Sequence, residues 1–317
     1  MDWAAHVRGR FVSAVAAGEV DLPLPGQGRT LERWRRLAVF AAEDVCLVKL
    51  VESHADAVAI AAELGAALDP RRPAAVWAAE PPGARVEVRD GPGGCTLHGT
   101  KAWCSGAAVV RTAMLTGWRE GEPVLVLLDM DQPGVSWSLS DWHAVGMSAT
   151  GTATVELDGA RGEVVGPNRA YLERPGFWHG GAGVAACWYG ATLPIAGRLM
   201  AMQQRRPGPH AAAHLGSVDV ELSQVAALLR QTAGWIDRHP GDDAPVAALR
   251  VRSAADFMAR RVLERAMAAL GPGPLCTEAD LARRVADLPV FIRQSHAERD
   301  LAALAERLTA HHTGWAL

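Results

Sequence analysis

The sequence predicts an α+β fold in which a central antiparallel β domain lies between an N-terminal and a C-terminal helical domain. Three observations support this: helix-forming segments precede residue 73, residues 73–168 alternate apolar and polar side chains, and helical spacing returns afterwards. The expected domains are therefore residues 1–72, 73–168 and 169–317. With 317 residues, 49% of them hydrophobic, the chain is long enough to bury a sizeable core.

The first 72 residues are predicted to form helices that are interrupted by a proline-containing loop at Leu22–Gly28. The following stretch, Thr30–Leu68, is rich in Ala, Leu, Glu and Arg, which favour helix, and Gly65 can end one. The segment Asp69–Pro73 is typical of a linker.

The central segment is predicted to form half-buried strands. Apolar and polar residues alternate in Val86–Arg89, in Cys95–His98 and in Thr152–Leu157. Between the first two strands, Asp90–Gly94 supplies the glycines that a hairpin turn needs. Since no long helical pattern separates the strands, we expect an antiparallel sheet or barrel rather than βαβ units.

The C-terminal domain is predicted to contain long helices. Apolar residues recur at helical spacing in Val218–Ile236, and Ser217 is positioned as its N-cap. Pro245–Leu270 is a second long helix, which Gly271 ends, and a last helix is expected over Asp287–Thr309.

Charge and composition exclude several classes of function. The formal net charge of −3 gives no general attraction to nucleic acid or to an anionic membrane. The N-terminus lacks the layout of a signal peptide, and no apolar run reaches the roughly 20 residues that a bilayer requires, so we expect a cytoplasmic protein. The five cysteines are scattered and never form C-x-x-C, so neither a disulfide framework nor a metal site is predicted.

Three motifs in the central segment narrow the prediction. They are Glu80–Gly83, then Leu97–Ala107 with the string G-T-K-A-W-C-S, and then Gly146–Thr152 followed by Leu157–Arg161. In sequence, order and spacing they resemble acyl-CoA dehydrogenases. The resemblance covers residues 43–308, and it identifies the chain as a shortened, divergent member of that superfamily, with most of the shortening in the first helical domain.

That resemblance implies a flavoprotein with FAD as its cofactor and an acyl-CoA or carrier-bound acyl thioester as its substrate. In the family, a carboxylate removes an α-proton while a β-hydride passes to flavin N5, and the protein supplies position and polarisation. Family members form homo-oligomers, of which a homodimer is expected here. The electron acceptor is not implied.

Trp103 and Ser105 take the family's flavin-contacting positions in this resemblance. The indole of Trp103 would pack on the flavin as a flat wall, and Ser105 would hydrogen-bond near N5. A tryptophan in the core of the β domain is the alternative interpretation of Trp103.

Two residues are candidates for the catalytic base. Glu278 falls in the position of the base in many family members, where desolvation by substrate can raise its pKa. A solvated glutamate in the first turn of a helix is the alternative. Other members carry the base near Phe177–Gly181, where this chain offers His179 in place of a carboxylate; a packed or capping histidine is the alternative there.

Further cofactor contacts are implied at segments where the chain departs from the family pattern. Arg206 keeps an arginine but lacks the aromatic-glycine pair that follows it in the family. Gly271 and Gly273 keep two loop glycines without the glutamine that precedes them, and Ser295 with His296 replaces the glutamate-glycine pair of the last helix region. A solvated or subunit-facing polar stripe is the alternative for the last two residues.

Two other functions fit the same fold. One is a flavin-dependent monooxygenase, in which reduced flavin meets oxygen and no carboxylate base is needed. The other is a non-catalytic relative that binds an acyl ligand or a partner and has lost flavin. Fold alone does not separate these functions from dehydrogenation.

Overall fold

A computed structural model of the chain describes residues 2–91, 93–311 and 315. The helices are α1 (Trp3–Ala17), α2 (Thr30–Glu43), α3 (Val45–Leu64), α4 (Ala170–Glu173), α5 (Gly176–Arg205), α6 (Pro209–Arg238), α7 (Pro245–Leu270), α8 (Pro272–Thr277), α9 (Ala279–Phe291) and α10 (Glu298–His311). The strands are β1 (Ala74–Trp77), β2 (Val86–Gly91), β3 (Gly94–Cys104), β4 (Thr112–Arg119), β5 (Glu122–Asp129), β6 (Val135–Ser138) and β7 (Ala153–Val164).

The chain divides into two compact units, each made of an N-terminal piece and a longer downstream piece. The β unit contains Met1–Leu22 and Cys46–Phe177, and the helical unit contains Pro23–Val45 and Trp178–Leu317. The division separates the N-terminal helices from one another, because α1 and nearly all of α3 belong with the strands whereas α2 belongs with the later helices. The expected first domain, residues 1–72, is thus shared between two units.

The sheet of the β unit is a closed ring of five strands, with β1 and β6 added outside the ring. Strand neighbours run β1-β4-β2-β3-β7-β5, β4 also pairs β5, and β6 pairs β7. The pairings of β4 with β1 and with β2 are parallel, and the others are antiparallel. The alternation seen in the sequence buries one face of β2, β3 and β7, and Leu97, Leu115 and Val155 meet in the core.

The expected hairpin connects β2 to β3, whose register pairs Gly91 with Gly94. Pro92 lies outside the described residues. Gly94 has φ +145°, and a Cβ there would lie 2.7 Å from the carbonyl oxygen of Gly162, so the turn requires glycine at this position.

Helix boundaries in the helical unit agree with the prediction in one case and differ in two. The helix α7 spans the predicted Pro245–Leu270. The preceding helix begins at Pro209 rather than at Ser217, because Gly208 is extended and proline is well placed in a first helical turn. The single last helix predicted over Asp287–Thr309 is wrong: α9 already contains Asp287, and the chain turns before α10 begins at Glu298.

The error at α9 and α10 arises at Pro289, because proline is typical of a first helical turn and a helix beginning at Asp287 would have it there. In the structure it lies in the last turn of α9, where it interrupts little of the helix that follows. Among the described residues, no helix has the length and apolar character that crossing a membrane would demand.

Candidate functional site

Strand β3 contains a bulge that turns Trp103 out of the sheet. Lys101 pairs with Val155 and Cys104 with Ala153, so two residues of β3 oppose one residue of β7. The backbone of Trp103 has φ +59°, a left-handed conformation that costs an L-residue roughly 1–2 kcal/mol. The sulfhydryl of Cys104 donates to the carbonyl oxygen of Lys101 at 3.2 Å across the bulge.

The bulge exposes a large flat ring on a strand whose nearby residues Lys101 and Cys104 are buried. The residue Trp103 is 58% exposed, whereas Lys101 is 2% exposed and Cys104 is completely buried. The alternative interpretation of this tryptophan as a core residue therefore does not hold. Backbone strain raises the free energy of the folded chain, and strained residues are concentrated at functional sites.

A chain of hydroxyl groups begins at Ser105, two residues beyond the bulge. The Ser105 Oγ lies 3.0 Å from Thr152 Oγ1, which lies 2.8 Å from Thr150 Oγ1. The last hydroxyl donates to the carbonyl oxygen of Met147 at 2.7 Å. Thr150 and Thr152 were not among the predicted site residues, although both belong to the Gly146–Thr152 motif. The structure thus joins the second and third motifs through hydrogen bonds.

A buried ammonium joins the first motif to the second. The Lys101 Nζ donates to Thr116 Oγ1 and to the Thr116 carbonyl oxygen, each at 2.8 Å, and to Glu80 Oε1 at 3.3 Å. The other carboxylate oxygen of Glu80 accepts from Trp118 Nε1 at 3.0 Å. Burial lowers the pKa of Lys101, and the Glu80 carboxylate opposes that shift. This network ties β3, β4 and the loop before β2 together.

Glu278 precedes α9 and is held by an arginine of its own unit. The Arg198 Nε donates to Glu278 Oε2 at 2.7 Å, and Arg198 Nη2 donates to the other carboxylate oxygen. These hydrogen bonds lower the pKa of Glu278. The side chain remains 36% exposed. An effective base for an α-proton needs the opposite shift, so this arrangement weakens Glu278 as a proton acceptor.

His179 is buried in the helical unit. The imidazole Nε2 donates to the carbonyl oxygen of Asp242 at 3.0 Å, and the residue is 2% exposed. A Cβ on Gly26 would lie 3.2 Å from its Nδ1, so the ring packs against that loop. These contacts are typical of a packed histidine, and the catalytic role of His179 stays a prediction.

The remaining predicted cofactor contacts do not form one hydrogen-bonded cluster. Arg206 and Gly273 are exposed, and Gly271 joins α7 to α8 with φ +67°. The buried Ser295 Oγ accepts from the amide of Ala297 at 3.2 Å, and His296 Nδ1 lies 3.3 Å from a carboxylate oxygen of Asp300. Among the described residues, no hydrogen bond or ion pair connects the first three of these residues to Ser295 or His296, so their roles stay predictions.

A recess of about 100 Å³ lies between α7 and the start of α10. Its lining residues are Ser253, Asp256, Phe257, Arg260, Ser295, Ala297, Glu298 and Leu301. The buried Asp256 accepts from Arg260 Nε at 2.6 Å, a pair at helical i, i+4 spacing that the sequence analysis did not single out. Because Asp256 and Glu298 offset the positive charge of Arg260, the recess has no excess positive charge to attract a phosphate. The part of the chain that the structure describes contains no cluster of metal-binding side chains.

Comparisons with known proteins identify the fold. No protein-family model and no curated protein matches the chain. Among solved structures, FkbI, for biosynthesis of the methoxymalonyl extender unit of the polyketide immunosuppressant Fk520, is similar with a TM-score of 0.80 and 19% identity, over 98% of this chain and 96% of that one. FMN-bound TdsC from Paenibacillus sp. A11-2 has a TM-score of 0.78 and 16% identity, over 98% of this chain and 97% of that one. KijD3 in complex with FMN and a dTDP-linked amino sugar has a TM-score of 0.74 and 16% identity, over 98% of this chain and 92% of that one.

These likenesses show that the chain has the acyl-CoA dehydrogenase-like fold. The prediction of a shortened, divergent acyl-CoA dehydrogenase is wrong, because the chain spans nearly the full length of FkbI, TdsC and KijD3, and TdsC is a dibenzothiophene monooxygenase. A shared fold does not imply a shared activity, so the motifs predicted the fold correctly and the family wrongly.

Proposed function

We propose that this chain is a flavin-dependent oxidoreductase of the monooxygenase type, in which Trp103 and Ser105 contact the flavin. The observation that carries this proposal is the bulge at Trp103, which holds a flat aromatic ring in an exposed position at the expense of backbone strain. A ring of this kind suits the face of an isoalloxazine, and the nearby hydroxyl of Ser105 suits its polar edge. Bound flavin, once reduced, would supply the electrons for the reaction with oxygen.

FMN is the proposed cofactor in place of FAD. The solved structures of TdsC and KijD3 contain FMN. The segments that would contact the diphosphate of FAD lack the polar groups expected there, and the recess beside Ser295 is lined by two acidic side chains and one basic side chain. A mononucleotide needs fewer phosphate contacts than a dinucleotide, which suits the residues present.

Oxygenation is favoured over α,β-dehydrogenation by the state of the two candidate bases. The Arg198 hydrogen bonds lower the pKa of Glu278, and His179 is buried against a backbone carbonyl. A monooxygenase needs neither group as a base.

We propose a carrier-bound acyl group or acyl-CoA as the substrate class, and a cytoplasmic homodimer as the working form.

Titration of the purified chain with FMN and with FAD, followed by flavin fluorescence and absorbance, tests the cofactor proposal. Removing the ring by Trp103→Ala is expected to weaken FMN binding roughly 5- to 150-fold, since aromatic stacking contributes about 1–3 kcal/mol. The matched control is Trp137→Ala, because Trp137 is also an exposed strand tryptophan, at 45%. If the wild-type chain binds neither flavin, the non-catalytic alternative is the better account.

A second experiment separates oxygenation from dehydrogenation. The flavin-loaded chain is mixed anaerobically with a panel of acyl-CoA esters, and loss of the flavin absorbance is recorded for the wild type and for Glu278→Gln. The monooxygenase proposal predicts no bleaching in either protein, and oxygen uptake once the flavin has been reduced chemically. Bleaching that Glu278→Gln abolishes would contradict it and support dehydrogenation.

A further inference from the structure

The hydroxyl groups of Ser105, Thr152 and Thr150 form an unbranched chain that ends on a backbone carbonyl. Each of these hydroxyl groups has one proton to donate and two lone pairs to accept with. A carbonyl oxygen can only accept, so the Met147 end of the chain fixes the direction of every bond before it.

The direction follows one hydroxyl at a time. Thr150 uses its proton on the Met147 carbonyl oxygen, so it accepts from Thr152. Thr152 has then used its own proton, so the 3.0 Å contact with Ser105 requires Ser105 to donate. The hydroxyl proton of Ser105 therefore points into the chain, and only lone pairs remain on its oxygen for a ligand.

The surroundings hold this chain in place. Thr150 is 1% exposed and Thr152 is 5% exposed, and the Ser105 carbonyl oxygen accepts from Trp77 Nε1 at 3.1 Å. The amide of Gly106 donates to the Thr150 carbonyl oxygen at 3.1 Å. With the backbone tied on both sides, the Ser105 hydroxyl cannot turn its proton outward without losing a buried hydrogen bond.

We propose that Thr150 and Thr152 are positioning residues that make Ser105 a hydrogen-bond acceptor and thereby favour the reduced form of the bound flavin. This inference rests on the proposed flavin site. Flavin N5 is an acceptor in the oxidised ring and carries an N–H in the reduced ring. An oxygen that offers only lone pairs accepts a hydrogen bond from the N–H of the reduced ring. The same oxygen repels the lone pair of N5 in the oxidised ring, so it stabilises the reduced state relative to the oxidised one.

Midpoint potentials of the FMN-loaded chain, measured against reference dyes, test the proposal. The substitution Thr152→Val removes the hydroxyl oxygen that accepts the Ser105 proton, so Ser105 can turn that proton toward the flavin. We expect the ratio of the affinities for reduced and oxidised flavin to fall roughly threefold to tenfold, because that is the effect of one neutral hydrogen bond. For a two-electron couple this lowers the potential by about 15–30 mV.

Matched variants separate this effect from a loss of packing. The conservative change Thr152→Ser keeps the hydroxyl and is expected to keep the wild-type potential. The change Thr100→Val removes another β3 hydroxyl, which donates to Glu156 and is not part of the hydroxyl chain, and should leave the midpoint potential unchanged. The change Ser105→Ala should lower the potential, because the acceptor itself is lost.

Two outcomes overturn the proposal. One is an unchanged potential in Thr152→Val with normal FMN binding. The other is equal weakening of oxidised and reduced FMN binding, which would mean that Ser105 pairs with a group that does not change on reduction. Failure of the wild-type chain to bind any flavin would instead refute the proposed function, so the two failures are distinguishable.

Discussion

The segment around Trp103 and the segment around Glu278 were assigned functional roles by the same resemblance, yet their surroundings differ. At the first, the backbone is strained, an indole is exposed and the oxygen of Ser105 has lone pairs that no described residue uses. At the second, both carboxylate oxygens of Glu278 are already bonded by Arg198. The first segment has unused capacity to bind a ligand, whereas the second is satisfied by its own unit.

This difference separates what a motif predicts from local sequence and what depends on distant residues. The string Leu97–Ala107 specifies a backbone shape, the bulge, and its side chains follow from that shape. The role of Glu278 depends on a single side chain whose pKa is set by a partner 80 positions earlier. A local string therefore predicts a backbone shape, whereas the pKa of one ionisable residue depends on partners that the string does not contain.

The largest expected effect concerns the support beneath the bulge. The substitution Lys101→Met leaves Glu80 and Thr116 without the buried ammonium and is expected to lower the free energy of unfolding by about 3 kcal/mol, as for a broken buried pair. Urea denaturation measures the change.

The corresponding change at the second segment, Arg198→Met, should have a much smaller effect because that pair is partly exposed. Arg89→Met is the control for the loss of a positive charge in the same unit, because Arg89 is exposed and makes no ion pair among the described residues. Equal losses in Lys101→Met and Arg198→Met would remove the distinction between the two segments.

A smaller effect tests the strain itself. Because Trp103 has positive φ, Trp103→Gly is expected to be more stable than Trp103→Ala by about 1 kcal/mol, by thermal or urea unfolding. At Thr96, which lies in the regular part of the same strand, the order should reverse, with glycine about 0.5–1 kcal/mol worse than alanine. The same order at both positions would argue against the bulge.

The smallest effect is the pH dependence of the Arg198 ion pair. The pKa of Glu278 is lowered in the folded chain, so its contribution to stability is present above the ordinary glutamate pKa, about 4.3, and is lost as the pH falls through the lowered value. The difference in unfolding free energy between wild type and Glu278→Gln should therefore shrink on acidification.

Glu264→Gln is the control for this measurement, since Glu264 is exposed and makes no ion pair among the described residues. A difference for Glu278→Gln that grows as the pH falls would mean that the carboxyl is stabilised in its protonated form. The dehydrogenase mechanism would then regain support.

The sequence by itself determined that helical segments flank a central segment of strands. Periods of two and of 3.6 residues are local properties, so β2, β3, β7, the hairpin at Gly91 and Gly94, and the bounds of α7 could be predicted from short windows. The shared order of the three motifs also predicted the fold that FkbI and TdsC have.

Only the tertiary structure decided the closure of the sheet, the exposure of Trp103, the direction of the hydroxyl chain and the pairing of Glu278. Each depends on atoms that are brought together from distant positions, such as Ser105 with Thr152 or Arg198 with Glu278. Burial and hydrogen-bond partners set the charge and the donor or acceptor character of a side chain, and neither is encoded in the residues next to it.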